Sequence, residues 1–500
     1  VAASWQRWIN PFLDASREMN VPARVAAGER LYRDVVYHYG PAGPWLEGAA
    51  VALFGRRFAV LEGAGLLAAV LLFSSLWRLT ARAGSLLSAC LATTWAAAIC
   101  LGAANGGSFL FPYSFDALFA LSGAFLSVSL AAEPAGRARD ALCAAGVALA
   151  LAAKPEIGAA AAVVLLVAGL RAQDRKRETA RSLRVVGLGG LASLLAWAVA
   201  LSGVPRGDLS PEGPFALFSP PAPWRAVYRV ISGLADPARS LASVATALFL
   251  DALILAAAAL LSRVCGRAPL AGVAVWGAGA AAAVWFLLSG GAGIEDRLPP
   301  LLAPMPVVAA LAALAAVRRP LDPSGRARFL LYGLAAAGGL RVVLGLAYGA
   351  RTTPYSILAV PGLAAAAAVL VVDRVPRRLA APETFRRLLA LVFLALAVLA
   401  VGRWRRLLAP GSAARLETPA GTLRLSPEKA SVTAQALAFL AHNARPGDGL
   451  SGAPETGFFN FVTGLRSPLR QEQIFPGHLD AAAEARAAER LEAAGPRFFL

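Results

Sequence analysis

The chain is poor in charge, cysteine and histidine. Only 16% of its 500 residues are charged, 58% are hydrophobic and the mean hydropathy is +0.60, a balance that excludes an ordinary soluble globular protein. Of its four cysteines, Cys90, Cys100 and Cys143 lie in apolar segments and Cys265 in a short basic loop. That spacing fits neither a disulfide framework nor a metal site, so four free thiols are expected. His38, His442 and His478 are too scattered for a metal triad. No H-E-x-x-H, P-loop, G-x-S-x-G or G-x-G-x-x-G in a strand-helix setting occurs, which leaves a metal unsupported by motif, although carboxylates alone suffice to bind a hard divalent cation. No internal repeat is visible, which argues against transporter folds built from inverted repeats.

What is present is a series of apolar runs. Twelve candidate membrane spans fall near 58–79, 84–104, 112–131, 141–153, 156–170, 182–204, 238–262, 269–289, 299–317, 329–348, 355–372 and 388–402, each compatible with a full or broken helix in a hydrocarbon core. The net charge of +18 is spread through short runs between those segments rather than gathered in one basic domain, so no nucleic-acid partner is expected. Loops after every second span carry the Lys and Arg, among them Arg78 and Arg82, Arg137 and Arg139, and RAQDRKRETARSLR. Those loops are therefore assigned to the cytoplasm. The alternation requires 141–170 to cross twice, and it puts both the first loop and the tail beyond Arg403 outside. The tail alternates like a small α/β domain: TLRL, the amphipathic VTAQALAFLAHNA, the turn ARPGDG, FFNFV and an Ala/Glu/Arg-rich helix over 479–494.

Acids, bases and aromatics concentrate between Trp8 and Gly55. A helix here brings Asp14, Arg17 and Glu18 (i, i+3, i+4) onto one face, with the arginine beside two carboxylates. Pro22 is expected to end that turn and Gly28 to stop the helix. LYRDVVYHY then reads as an extended run closed by Gly40-Pro41, and from Trp45 a short amphipathic helix leads to Gly55. Taken alone, an aspartate such as Asp14 near a helix start is more often a cap or a solvated charge than a reacting group. Ionisable residues in or beside the spans are few and costly: Asp116 sits at the outside mouth, where capping or a bond to Ser114 also explains it, Lys154 and Glu156 flank Pro155 as an ion pair or a substrate contact, and Arg341 lies in the outer half of its span.

These residues carry a family likeness. D-x-x-R-E (Asp14, Arg17, Glu18), a proline, G-E-x-L-Y-R-D (Gly28 to Asp34) and Y-x-Y-G-P (Tyr37 to Pro41), then a helix ending in F-G, resemble the first outside loop of bacterial GT-C glycosyltransferases related to protein O-mannosyltransferases and the lipid A aminoarabinose transferase. FPYS (Phe111 to Ser114), K-P-E (Lys154 to Glu156) and P-E-x-x-x-x-N-F-x-T-G-x-R-x-P (Pro454 to Pro468) extend the likeness over most of the chain. The resemblance implies a mainly α, polytopic membrane bundle of GT-C type with a small C-terminal periplasmic α/β domain. The corresponding division is 1–57 as first periplasmic loop, 58–402 as transmembrane domain and 403–500 as C-terminal domain. A membrane helix is expected ahead of Val1, and a continuation after GPRFFL.

The implied activity is inverting transfer of a sugar from a polyprenyl-phosphate donor to a glycan, lipid or protein acceptor at the periplasmic face of the bacterial inner membrane. Asp14 is the implied base. Eukaryotic mannosyltransferases carry Asp-Glu here, whereas Asp14 is followed by Ala15, so a second acid must come from Glu18, Asp34, Asp116 or elsewhere. Arg17, Lys154 and Arg341 are candidates to hold the donor phosphate, and Tyr37, Tyr39 and Trp45 to line the sugar or acceptor groove, where interfacial anchors would look the same. A transporter or flippase of lipid-linked sugars is the alternative. It predicts in-membrane acids coupled to ion flow, whereas the acids here cluster at the outside mouth.

Overall fold

In a computed structural model of the protein, the described residues are 5–7, 14–102, 108–205, 222–267, 302–340, 357–374, 383–391, 413–474 and 481–500, with single residues 343, 411 and 479. Two loop helices come first, α1 (Ala15–Ala26) and α2 (Ala42–Phe54). The bundle follows as α3 (Phe58–Ala83), α4 (Leu86–Gly102), α5 (Phe115–Ala131), α6 (Arg137–Ala153), α7 (Pro155–Leu170) and α8 (Arg175–Leu201). It continues through α9 (Ala222–Ile231), α10 (Pro237–Arg267), α11 (Met305–Ala316), α12 (Pro323–Leu340) and α13 (Val360–Ala368), the last running on as a π-helical turn over Val369–Arg374. Among the described residues, Phe58–Ala83, Arg175–Leu201 and Pro237–Arg263 are long and apolar enough to cross a membrane, and several shorter apolar helices accompany them. Leu183, Leu188, Leu191 and Leu194 of α8 and Phe249 and Leu253 of α10 stay exposed, as expected of helices whose outer faces meet lipid rather than water. The run at 269–289 and most of 388–402 lie outside the described residues.

The segment 137–170 is two helices. Lys154 between them is extended (φ −144°, ψ 95°), and Pro155 opens α7 where its missing N–H has no intrahelical partner to lose. Two other readings of the first loop need correction. Pro22 does not end α1: the helix continues through it to Ala26, because all of Ala15 to Arg24 is buried and packing outweighs one lost backbone bond. LYRDVVYHY is a tight turn rather than a strand. Tyr32 takes a left-handed conformation (φ 66°), its N–H donates to the Val35 carbonyl, its hydroxyl donates to the Tyr39 carbonyl at 2.6 Å, and its ring stacks on Trp197 at 5.9 Å. The second loop helix begins at Ala42, one residue after Pro41.

Charges sort to the two ends of the bundle. Where α5 finishes, buried Glu133 meets Arg78 and Arg82 from the end of α3 and Arg139 from the start of α6. Beside it Arg181 pairs with Asp140 at 2.7 Å, and Glu178 pairs with Arg326. Where α5 begins, α1, α2, the Lys154 break and the tail converge. In the tail, strands β1 (Ala414–Thr418) and β2 (Gly421–Leu425) form an antiparallel hairpin, and β3 (Leu450–Ser451) pairs in parallel with β4 (Phe498–Phe499). Helices α14 (Pro427–Asn443), α15 (Gly457–Thr463) and α16 (Ala481–Ala494) complete it. The hairpin rests on the top of α3, with the Phe58 N–H donating to the Ala420 carbonyl, and the rings of Phe58, Phe458 and Phe461 pack together.

Candidate active site

Asp14 opens α1 with a backbone that a non-glycine residue rarely adopts, φ 58° and ψ −44°. Such strain, roughly 1–3 kcal/mol, persists only where surrounding contacts hold it. The Asp14 side chain does not cap its own helix, and it is 30% exposed. One turn on, Arg17 lies 3.7 Å from it and is almost wholly buried. The Arg17 fork is filled by protein: Nε donates to Glu18 at 2.9 Å, one terminal nitrogen to the Gln473 carboxamide oxygen at 2.9 Å, and the other to the Tyr113 carbonyl at 3.0 Å. Burial works to discharge Arg17, but Glu18 and Asp14, together with Tyr39 and Tyr37, raise its pKa well above the usual value. It is a permanent cation.

Glu18 joins the loop to the bundle by accepting the Phe115 N–H at 2.9 Å at the start of α5. Burial lifts its carboxyl above the ordinary range against the pull of Arg17 and that amide. Asp116, fully buried, accepts the Tyr37 hydroxyl at 2.6 Å and the Gly43 N–H at 2.8 Å; Ser114, not Asp116, caps α5. Tyr37, also fully buried, is held well above a normal phenol by burial and by the Asp116 and Glu18 charges, so it stays a donor. The structure thus gathers Asp14, Arg17, Glu18, Tyr37 and Asp116 into one linked set.

Lys154 and Tyr39 complete it. The ammonium sits 4.5 Å from the centre of the Tyr39 ring and 6.0 Å from that of Tyr113, while Arg17 lies 5.2 Å from Tyr39; two cations therefore flank one aromatic ring. Gly40 makes this possible. Its N–H donates to the Ala153 carbonyl at 2.9 Å, and a Cβ there would stand 1.9 Å from the Ala152 carbonyl oxygen, so only glycine lets the loop press against the α6–α7 break. Lys154 also lies 3.8 Å from Glu156. Trp45 and Tyr39 pack against the small apolar cluster that contains Tyr37. Asp34 is not part of the set: its carboxylate accepts the Arg30 N–H of its own turn. Arg341 lies outside the described residues. No group of three or more His, Cys, Asp or Glu among the described residues is arranged to hold a metal ion.

No protein-family profile matches the chain. No curated protein sequence matches it either. Solved structures do. The chain superposes on ArnT from Cupriavidus metallidurans, crystallised with undecaprenyl phosphate bound, at a TM-score of 0.55 and 14% identity, over 98% of this chain and 86% of that one. The chain has the GT-C fold. A second likeness, to the oligosaccharyltransferase of Archaeoglobus fulgidus crystallised with zinc and sulfate, has a TM-score of 0.49 at 14% identity and covers 91% of this chain and 58% of that one. The protein is accordingly a mainly α-helical membrane protein of GT-C architecture.

On this GT-C framework the tail supplies site residues that sequence reasoning missed. Glu455 accepts the Asp14 N–H at 3.1 Å and the Ser16 hydroxyl. Gln473 donates to Asp14 at 3.3 Å and to Glu455 at 3.3 Å while accepting from Arg17. Deeper in, Glu472 accepts from Asn20 and from Arg24, the latter at 2.6 Å. The signal was present, since Glu455 belongs to the P-E-x-x-x-x-N-F motif, but nothing local tied it to Asp14. Glu47 of α2 is the other omission. It is 1% exposed, Oε1 has no hydrogen-bond partner among the described residues, and burial with the nearby Glu18 and Asp116 charges pushes its carboxyl well up.

Proposed function

We propose that the protein is an integral membrane glycosyltransferase that moves a sugar from a polyprenyl-phosphate donor to a hydroxyl-bearing glycan, lipid or protein acceptor, with inversion, at the periplasmic face of the bacterial inner membrane. The observation that carries the reading is Asp14: a partly exposed carboxylate on a strained backbone, beside a buried permanent cation, at the end of the bundle where the uncompensated acids collect. Undecaprenyl phosphate bound to the structurally similar ArnT supports the donor class.

In the reaction the acceptor hydroxyl oxygen attacks the anomeric carbon as the bond from that carbon to the donor phosphate oxygen breaks. The hydroxyl proton passes to the Asp14 carboxylate, and the bonding pair leaves with the polyprenyl phosphate. Arg17 is committed to protein partners, so it fixes Asp14 and supplies field, while Lys154 under Tyr39 is the cation that balances the departing phosphate. Tyr39 and Trp45 border the sugar path. Glu18 and Asp116 hold Arg17 and Tyr37 in place rather than reacting.

The test is incubation of purified protein with a panel of undecaprenyl-phosphate sugars and candidate acceptors, reading release of undecaprenyl phosphate and formation of a new glycosidic bond. Release with one donor carries the proposal. Movement of donor across a vesicle bilayer without bond formation would replace it with the flippase reading.

A further inference from the structure

Asp14 is held from a part of the chain that sequence order puts 441 residues away. The Asp14 N–H belongs to a residue at φ 58°, so its direction is set by the strained backbone, and Glu455 receives it. Ser16, two residues into α1, donates its hydroxyl to the other oxygen of the same carboxylate. The Gln473 carboxamide has its oxygen toward Arg17 and its nitrogen toward both Asp14 and Glu455, the orientation that matches donors to acceptors on each side. Gly457, just after Glu455, lets the tail press on α1, for a Cβ there would lie 2.7 Å from the Ser16 carbonyl oxygen.

We propose that Glu455, with Gln473, is a positioning residue for Asp14, and that the tail segment 454–473 is a working part of the active site rather than an appended domain. This rests on the reading of Asp14 as the base. Glu455 does not reach the reacting atoms in this role. It fixes the start of α1 so that the Asp14 carboxylate keeps one orientation toward the incoming hydroxyl, and the Gln473 amide occupies one lobe of that carboxylate and leaves the other for the proton. Burial raises the Glu455 carboxyl above the ordinary range, the Ser16 bond opposing and the Asp14 charge reinforcing that shift. The contact survives loss of the charge, because a carboxamide oxygen still accepts the Asp14 N–H and its –NH2 can donate to the Ser16 hydroxyl, which accepts as well as donates.

The experiment compares Glu455→Ala, Glu455→Gln and Ser16→Ala in the full chain with the undecaprenyl-phosphate sugar found active for the wild type. Glu455→Ala is expected to lower kcat roughly 10²-fold, the cost of a small misplacement of a reacting group, with the donor KM unchanged. Glu455→Gln is expected to recover most of that loss. A purely structural role would lower the yield and melting temperature of Glu455→Ala and leave kcat per folded molecule intact, and that result overturns the proposal. If Glu455→Ala does not accumulate, Ser16→Ala releases the same clamp from its other end and should lower kcat without raising KM; unchanged kcat overturns it. If the wild type consumes no donor, the transferase reading fails by itself, and melting decides the contact. Single and double variants of Ser16→Ala and Glu455→Ala should then be non-additive, whereas additive shifts would dissolve the link between the tail and α1.

Discussion

Where α5 ends, Glu133 is buried but meets three arginines, and the neighbouring acids Asp140 and Glu178 each face two. Where the same helix begins, Glu18, Glu47 and Asp116 are buried within reach of one another, and Arg17 and Lys154 are the nearby cations. At the first end the three arginines on Glu133 stay partly in water, so their pairs contribute little to stability, while Arg181 and Arg326 beside them are buried. The second end keeps acids in excess and a strained aspartate. Destabilising features of that kind are retained where chemistry needs them.

Removing charge should therefore cost far more at one end than at the other. Arg17→Met leaves the buried Glu18 carboxylate without its cation, so it should lower stability by roughly 3–5 kcal/mol and abolish turnover; a melting curve within a degree or two of wild type would break the comparison. Next in size, Gly40→Ala must separate the loop from the Lys154 break or displace the Ala152 carbonyl, at a cost of about 1–3 kcal/mol. Turnover should fall with it, because Tyr39 leaves Lys154.

Glu47→Gln should sharpen the contrast through pH. Its carboxyl is raised in the folded state by burial and by Glu18 and Asp116, so the folded protein binds the proton more tightly than the unfolded chain does. Stability associated with Glu47 is thus highest in acid and falls as pH rises past the unfolded value of about 4.3. The glutamine variant should melt like wild type near that pH and progressively higher than wild type toward neutrality; a difference constant with pH would remove Glu47 from the account. The smallest effect belongs to the other end. Arg82, 42% exposed and one of three arginines on Glu133, should cost about 0–1 kcal/mol when replaced by alanine, as read by thermal melting.

The parts of this structure that were readable in advance are those fixed by local chemistry. Apolar runs announced the helices, the Lys154-Pro155 step announced the break, and the i, i+3, i+4 spacing of Asp14, Arg17 and Glu18 put them on one face. What could not be read depends on distant partners. Tyr32 turns left-handed because Trp197 and the Tyr39 carbonyl receive it, and α1 runs through Pro22 because the tail and α2 bury it. Tyr39 over Lys154 joins positions more than a hundred residues apart. Glu455 on Asp14 crosses nearly the whole chain, and no periodicity encodes such a contact. Glu18, Asp34 and Asp116 are the second acids the sequence motifs offer, whereas the carboxylate that accepts the Asp14 N–H lies in the tail.

The central claim is that Asp14 takes the acceptor proton, and Asp14→Asn tests it most directly. Wild type and variant are purified together, shown to have matching melting curves, and assayed for release of undecaprenyl phosphate from the same sugar donor. The account predicts a fall of roughly 10²–10⁴-fold in kcat for a folded protein that still binds undecaprenyl phosphate. Turnover by Asp14→Asn at the wild-type rate would contradict it.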